Sequence, residues 1–175
     1  MIKIKILLIR QWIIGYHLIL PLWQNKNMKN LQKDIIGYTT GVFDLFHIGH
    51  LKILMKAKSL CDKLIVGVST DDLVSYKHKM PVIPFKERIE IVQNIKYVDL
   101  AVPQDSMDKI DAWKRYKFDI MFVGDDWYKT KKWDNIEDKL KKEDVKIIYF
   151  QYTKSTSSTL LNSVLLKLRD SNKPS

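Results

Sequence analysis

Two histidines, His47 and His50, have the type and spacing that suit chemistry on an anion. Residues three apart at the start of a helix share one face of its first turn, so both imidazole rings can reach the same ligand. A neutral imidazole donates a ring N–H without bringing a full charge. The pair therefore predicts a phosphate site with two imidazoles at its mouth.

The residues around the two histidines predict the elements that position them. The apolar, partly β-branched run at residues 35–38 is typical of a buried strand, and Leu51 and Leu54 recur at helical spacing on the other side. Between them, Gly41 permits a close backbone approach in a tight turn. A helix that begins near Ile48 directs its first N–H groups and its positive dipole end at that turn, which favours a phosphate ligand.

The segment from residue 39 to residue 50 resembles a family signature. It reads T-x-G-x-F-D-x-x-H-x-G-H and is similar to the signature of the HIGH-type nucleotidylyltransferases, in particular the branch containing glycerol-3-phosphate cytidylyltransferase. Two histidines at this spacing, taken alone, are better explained by one buried and one surface residue, because short motifs match by chance. The strand, the glycine turn and the helix around them favour the phosphate site.

Length and composition set the outer bounds. The 175 residues indicate one domain, and 46% hydrophobic with 29% charged residues is ordinary for a globular protein. The net charge of +10 favours anionic partners but does not choose among nucleic acid, a membrane surface and phosphorylated small molecules. The single cysteine, Cys61, excludes a disulfide within the chain, fits a cytoplasmic protein and is interpreted as a small core residue.

The N-terminal residues differ from the rest. Residues 4–23 are rich in Ile, Leu and Trp, but Lys5, Arg10 and His17 interrupt the run, and a spanning helix needs about 20 mostly apolar residues. A weak membrane-surface anchor, a helix packed on the domain, and an upstream stretch that the protein does not use all remain open. The last is favoured, with Met28 as the natural start and no stable membrane insertion. We expect an extension at 1–34, a nucleotidylyltransferase domain at 35–169 and a polar tail at 170–175.

Strands and helices alternate along the domain. Buried strands are predicted at 64–68, 98–102, 119–123 and 145–150, with Pro103 ending the second of these. Helices are predicted at 84–95, 106–117, 133–143 and after residue 159. This order predicts an α/β fold, a Rossmann-like doubly wound parallel sheet in a single domain, with ligands at the carboxyl ends of the strands.

Further candidate site residues follow two of these strands. Gly124, Asp125, Asp126 and Trp127 stand at the end of the fourth strand, where paired aspartates can hydrogen-bond a ribose or base, bind Mg²⁺, or simply form a polar turn. G-D-D-W also resembles the cytidylyltransferase branch, which favours CTP over ATP. After the fifth strand, the hydroxyls of Ser157, Ser158 and Thr159 can cap a helix and bind phosphate oxygens.

Other positions take their roles from the resemblance. By themselves, Lys77 and Lys79 read as a solvated loop and Arg88 as a surface residue beside an apolar helix stripe. The resemblance implies that all three serve the nucleotide phosphates. The chain also departs from the family, because Tyr152 stands where relatives carry arginine. Lys154, two residues on, is predicted to supply the lost charge. The alternative, that Lys154 is solvated and Tyr152 packs on the base or the sheet edge, stays equally open.

The resemblance implies the reaction. A phosphate monoester attacks the α-phosphorus of CTP in line and releases pyrophosphate, with Mg²⁺ accompanying the triphosphate, so that positioning and charge stabilisation carry the catalysis. The product is a CDP-activated precursor for a surface polymer of the teichoic-acid type or for a lipid, and a cytoplasmic homodimer is expected. The catalytic residues are His47, His50, Lys77 and Arg88. The nucleotide-binding residues are Thr40, Gly41, Phe43, Asp44, Lys79, Gly124, Asp125, Asp126, Trp127, Thr153, Lys154, Ser157, Ser158 and Thr159.

Two other functions stay open. One is the same transfer from ATP, since adenylyltransferases carry a similar histidine motif. The other is a basic nucleic-acid-binding module, or a fragment resembling the aminoacyl-tRNA synthetases, which share H-I-G-H. Single-domain length and the lack of a K-M-S-K-S loop argue against it, so no nucleic-acid partner is expected. Glycerol phosphate is the default acceptor, but another phosphorylated polyol or amino alcohol would present the same phosphate.

Overall fold

One parallel sheet forms the centre of the domain. The structure is a computed structural model that describes residues 33–75, 80–125, 130–151 and 156–171. Its strands are β1 (Ile36–Gly41), β2 (Lys63–Ser69), β3 (Leu100–Gln104), β4 (Ile120–Gly124) and β5 (Lys146–Phe150), in the order β3-β2-β1-β4-β5 with every pairing parallel. The predicted α/β doubly wound sheet is confirmed.

Helices connect the strands and cover both faces of the sheet. They are α1 (Ile48–Lys58), α2 (Asp71–Ser75), α3 (Phe85–Gln93), α4 (Lys109–Tyr116), α5 (Lys131–Lys141) and α6 (Ser158–Ser171). Within the described ranges, no helix is both long enough and apolar enough to cross a bilayer.

Alternating side chains of the strands supply two cores, one on each face. In β4, Phe122 packs into one core with Leu54 of α1, while its neighbour Met121 packs into the other with Phe118. Successive residues of a strand point to opposite faces, so a strand covered on both faces must be apolar throughout. This explains why β2 and β4, on either side of β1, are largely continuous apolar runs rather than alternating ones.

The strand order places a crevice beside β1. The chain runs outward from β1 through β2 to β3, then returns to the other side of β1, where β4 pairs with it from Gly37 opposite Ile120. Connections from adjacent strands leave such a reversal point in opposite directions, and the crevice between them is where open α/β sheets bind ligands. The loop after β1, which carries both histidines, opens at this crevice.

Some predicted boundaries were wrong, and the reasons are local. Strand β3 begins two residues later than predicted and includes Pro103, which pairs with Val68. Proline lacks a donor but is tolerated on an edge strand, and β3 is at the edge of the sheet. Helix α4 begins three residues later than predicted, because the carboxylate of Asp108 caps it by accepting from the N–H groups of Ile110 and Asp111.

Candidate active site

The two histidines cap the helix that carries them. His47 is the N-cap of α1, with extended backbone angles (φ −138°, ψ 176°), and its Nδ1 accepts from the Gly49 N–H at 3.1 Å. Nδ1 of His50 in turn accepts from the His47 N–H at 3.4 Å. This reciprocal arrangement is a capping box built from histidines. The first N–H groups of this helix were predicted to face a phosphate, but the Gly49 N–H is bonded to His47 instead.

The capping bonds determine which ring nitrogen carries the proton. Because Nδ1 of each histidine accepts a hydrogen bond, the neutral form of each ring carries its proton on Nε2. The rings are stacked, with centroids 4.0 Å apart and planes inclined by 29°. The motif therefore presents two Nε2–H donors side by side.

Both rings are neutral at physiological pH. Burial lowers the pKa of His47. Burial also lowers the pKa of His50, to about 4, helped by the neighbouring His47 and partly opposed by the carboxylate of Asp44. Two uncharged donors can hydrogen-bond an anion without repelling each other.

The loop between β1 and α1 is strained and tightly held. Phe43 (φ 54°) and Leu45 (φ 47°) have left-handed backbone conformations, which cost non-glycine residues on the order of 1–3 kcal/mol each. Between them, the carboxylate of Asp44 accepts from the N–H groups of Val82 and Ile83, both at 2.9 Å. The Asp44 carbonyl accepts from the hydroxyl of Ser158, at 2.7 Å. Two distant parts of the chain thus hold the loop that carries His47.

A cavity of about 390 Å³ opens where this loop meets the carboxyl end of the sheet. Its walls come from all five strands, mainly at their carboxyl ends, and from α1, α4, α5 and the start of α6. Of the sequence-predicted site residues, the cavity is lined by Thr40, Gly41, Phe43, His47, His50, Gly124, Ser158 and Thr159. These residues come from distant parts of the sequence, and the fold brings them together.

Four predicted residues are described but do not line the cavity: Asp44, Arg88, Asp125 and Ser157. The Asp44 carboxylate holds the loop as described above, Asp125 is exposed just past β4, and the Ser157 hydroxyl accepts from the Leu160 N–H at the start of α6. Six further predicted residues, and Tyr152, lie outside the described residues. These six are Lys77, Lys79, Asp126, Trp127, Thr153 and Lys154.

Arg88 departs most from its expected environment. It is not the surface residue that its place on the helix suggests: its side chain is fully buried, with 0% exposure. Its Nε donates to the Ile83 carbonyl at 2.8 Å, one terminal nitrogen donates to the Val42 carbonyl, and the other donates to Asp71 at 2.6 Å. In this arrangement the guanidinium is turned to the protein rather than to the cavity.

Sequence reasoning missed a group of buried polar residues in the cavity wall. Thr39, Ser69, Gln104 and Lys109 are each at most 7% exposed and all line the cavity. Ser69 and Gln104 are the last residues of β2 and β3 and share a hydrogen bond of 2.9 Å. The rule that ligands bind at carboxyl strand ends could have identified these two residues. Lys109 gave no such signal, since a lysine in the first turn of a helix is ordinarily solvated.

The described part of the chain contains no ready-made metal site. Among the described residues, no group of three His, Cys, Asp or Glu side chains is arranged to bind an ion. Mg²⁺ commonly binds through one or two carboxylates together with substrate phosphates. Asp125, exposed at the end of β4, fits that pattern and does not form a protein cage.

Comparison with known proteins gives a consistent result. The sequence model of the family described as "Cytidylyltransferase-like" matches residues 38–169. The glycerol-3-phosphate cytidylyltransferase of Bacillus spizizenii is 35% identical over 137 residues, covering 78% of this chain and 99% of that protein. The FAD synthase of Archaeoglobus fulgidus is 37% identical over 106 residues, covering 61% of this chain and 75% of that protein. A solved lipopolysaccharide core biosynthesis protein from Thermoplasma volcanium superposes with a TM-score of 0.60 at 27% identity, covering 71% of this chain and all of that one.

Proposed function

The chain belongs to the cytidylyltransferase-like family, and from that premise we propose that it transfers CMP from CTP to a small phosphorylated acceptor. Glycerol 3-phosphate is the first acceptor to consider, because the relative matched over 99% of its length is named for it. The product is then a CDP-activated building block for a surface polymer of the teichoic-acid type or for a lipid. The shorter match to an FAD synthase makes ATP the competing nucleotide to test.

One observation supports this proposal most directly: the stacked pair of neutral imidazoles in the cavity wall. Transfer of a nucleotidyl group develops negative charge on the oxygens of the α-phosphate. Preorganised donors aimed at such oxygens stabilise the transition state without reorganising. His47 and His50 offer two Nε2–H groups for this purpose, held by their own capping bonds.

The cavity divides into two sides on the sheet. Of the residues predicted to bind the nucleotide, Gly124 lies at the end of β4 and Ser158 at the start of α6, while Thr40 and Gly41 lie at the end of β1, between β2 and β4. The opposite side, at the ends of β2 and β3, contains Ser69, Gln104 and Lys109. Lys109 brings a positive charge, and its Nζ donates to the Thr40 hydroxyl at 3.3 Å. We place the acceptor there, with Lys109 binding its phosphate.

The proposed reaction is a single displacement. An oxygen of the acceptor phosphate attacks the α-phosphorus of CTP, forming a P–O–P bond as the bond from the α-phosphorus to the bridging oxygen breaks. Pyrophosphate leaves with that electron pair. His47 and His50 donate hydrogen bonds to the α-phosphate oxygens throughout and form no covalent intermediate. Mg²⁺ would enter with the triphosphate and supply positive charge to it, and Asp125, exposed just past the end of β4, is a described carboxylate that would help to hold it.

A pyrophosphate-release assay tests this proposal. The purified protein is incubated with Mg²⁺, each of the four nucleoside triphosphates, and glycerol 3-phosphate, phosphoethanolamine or no acceptor. The proposal expects release that requires both CTP and an acceptor. A kcat/KM with ATP that equals or exceeds the value with CTP on the same acceptor would contradict the proposal and indicate an adenylyltransferase.

A homodimer is also proposed, following the family resemblance. Sedimentation of the purified chain across a range of concentrations tests it. A single monomeric species at all concentrations would contradict it.

A further inference from the structure

The buried arginine of α3 ties together the parts of the chain that surround the histidine loop. Arg88 donates hydrogen bonds to acceptors in three segments: Val42 after β1, Asp71 at the start of α2, and Ile83 ahead of α3. Asp71 is also bound by the Phe85 N–H, at 3.0 Å. Burial alone would raise the pKa of Asp71, but the bonds from Phe85 and Arg88 lower it below its usual value.

The same contacts reach the histidines through the backbone. Val42 immediately precedes the left-handed Phe43, and Ile83 is bound both by Arg88 and by Asp44. The loop that ends at His47 is therefore fastened at Val42 by Arg88 and at Asp44 by the Val82–Ile83 backbone. Strained conformations persist only where their surroundings over-determine them.

We propose that Arg88 is a positioning residue, and that it acts through Val42 and Asp71 to hold the histidine loop instead of binding a phosphate. This proposal uses the transferase reaction described above as one of its readouts, but its structural readout does not depend on that reaction. A buried guanidinium with three protein acceptors satisfies its charge within the fold. An arginine that waits for a ligand would instead keep an open face toward the cavity, and Arg88 is 0% exposed.

The two roles predict opposite results for Asp71→Asn. If Arg88 binds phosphate, removing the competing carboxylate frees the guanidinium and lowers KM for CTP. If Arg88 positions the loop, the loss of charge loosens the loop, so kcat falls while KM for CTP changes little. Asp71 is partly exposed, so this variant disturbs the core less than a change at Arg88 itself.

The experiment compares Asp71→Asn, Arg88→Met and the double variant with Lys86→Met, which removes an exposed charge from the same helix. Displacing catalytic groups by about 1 Å costs on the order of 100-fold in rate, so we expect a drop in kcat approaching that size for Arg88→Met. The double variant should be little worse than Arg88→Met, because both changes break one contact. Lys86→Met should match the parent protein.

The structural readout is the pKa of His50, measured by NMR of the imidazole without any substrate. His47 and Asp44 are the titratable groups that act on this ring. A loosened loop exposes the ring, so its pKa should rise from about 4 toward 6.5 in Arg88→Met and Asp71→Asn but not in Lys86→Met. An unchanged His50 pKa with a raised KM for CTP would overturn the positioning role and restore Arg88 as a phosphate ligand. A raised pKa in a protein that transfers no nucleotide would leave the positioning role intact and refute the proposed function.

Discussion

Gly49 lies directly against the ring of His47. A Cβ at Gly49 would be 2.8 Å from Cε1 and 2.9 Å from Nδ1 of that ring, and 3.4 Å from the Thr156 carbonyl oxygen. Carbon atoms do not approach a ring this closely, so any side chain at position 49 must displace the imidazole. The glycine between the two histidines is therefore part of the geometry of the site and not a spacer.

Gly49→Ala should consequently lower kcat by about tenfold or more while leaving the fold intact, because the displaced ring can no longer present its Nε2–H as in the parent protein. Alanine is otherwise favoured over glycine within a helix by about 1 kcal/mol, which limits the loss of stability. Gly37→Ala is the contrasting variant, since its Cβ would lie 2.6 Å from both the Cys61 sulfur and the Phe122 ring. That change should destabilise the protein by about 1–3 kcal/mol but leave kcat of the folded protein unchanged. Steady-state kinetics and denaturant unfolding on both variants separate the two effects.

The imidazole donors should act on the transition state rather than on binding. His47→Ala and His50→Ala are each expected to lower kcat by about 10²–10³-fold, with KM for CTP changed far less. His50→Gln keeps an N–H donor and should retain more activity than His50→Ala. Circular dichroism serves as the control for folding. A folded double alanine variant with near-normal turnover would exclude the histidines from catalysis.

Protonation of His50 should also appear in the stability of the protein. Its pKa is about 4 in the folded state and 6.5 as the ordinary value, so between these limits the unfolded chain binds a proton that the folded chain does not. The free energy of unfolding should therefore fall as pH is lowered through this window and lose this contribution fully below about pH 4. His50→Asn should show a shallower slope over the same range. Equal slopes in urea titrations of the two proteins would mean that His50 is not held neutral by the fold.

Substitution of Lys109 should affect the KM for glycerol 3-phosphate and not the KM for CTP. Lys109→Met removes the charge placed on the acceptor side, so KM for glycerol 3-phosphate should rise by about tenfold or more, as expected for loss of a charge-assisted hydrogen bond. KM for CTP should change little. Lys114→Met removes an exposed lysine from the same helix and is the matched control. If KM for CTP rises instead, the nucleotide phosphates and not the acceptor occupy that side of the cavity.

The sequence predicted the fold because its signals are local. The apolar strands and their alternation with amphipathic helices depend on residues close in the chain. The tight turn predicted at Gly41 was misplaced, since Gly41 ends β1 and the left-handed residues of the turn are Phe43 and Leu45. The environment of Arg88 could not be predicted in this way. Its partners Val42 and Asp71 lie 46 and 17 residues away in the sequence. Only the folded structure shows that they accept the guanidinium's hydrogen bonds.

The burial of Lys109 could not be predicted from the sequence either. Its position in the first turn of α4 predicts a solvated side chain, yet the parallel sheet brings it beside Thr40 of β1, 69 residues away. Whether a charged residue is buried depends on its neighbours in the tertiary structure, and these cannot be read from the hydrophobic pattern of the sequence.

The central claim is that an acceptor phosphate attacks the α-phosphorus of CTP. Incubating the purified protein with Mg²⁺, glycerol 3-phosphate and CTP labelled with ³²P at the α-position tests it most directly. The account predicts that the label appears in a CDP-linked product, in equal amount to the pyrophosphate released, and that the folded His47→Ala, His50→Ala protein transfers almost none. Label recovered only in CTP or in free CMP, across glycerol 3-phosphate and the other phosphorylated acceptors, would contradict it.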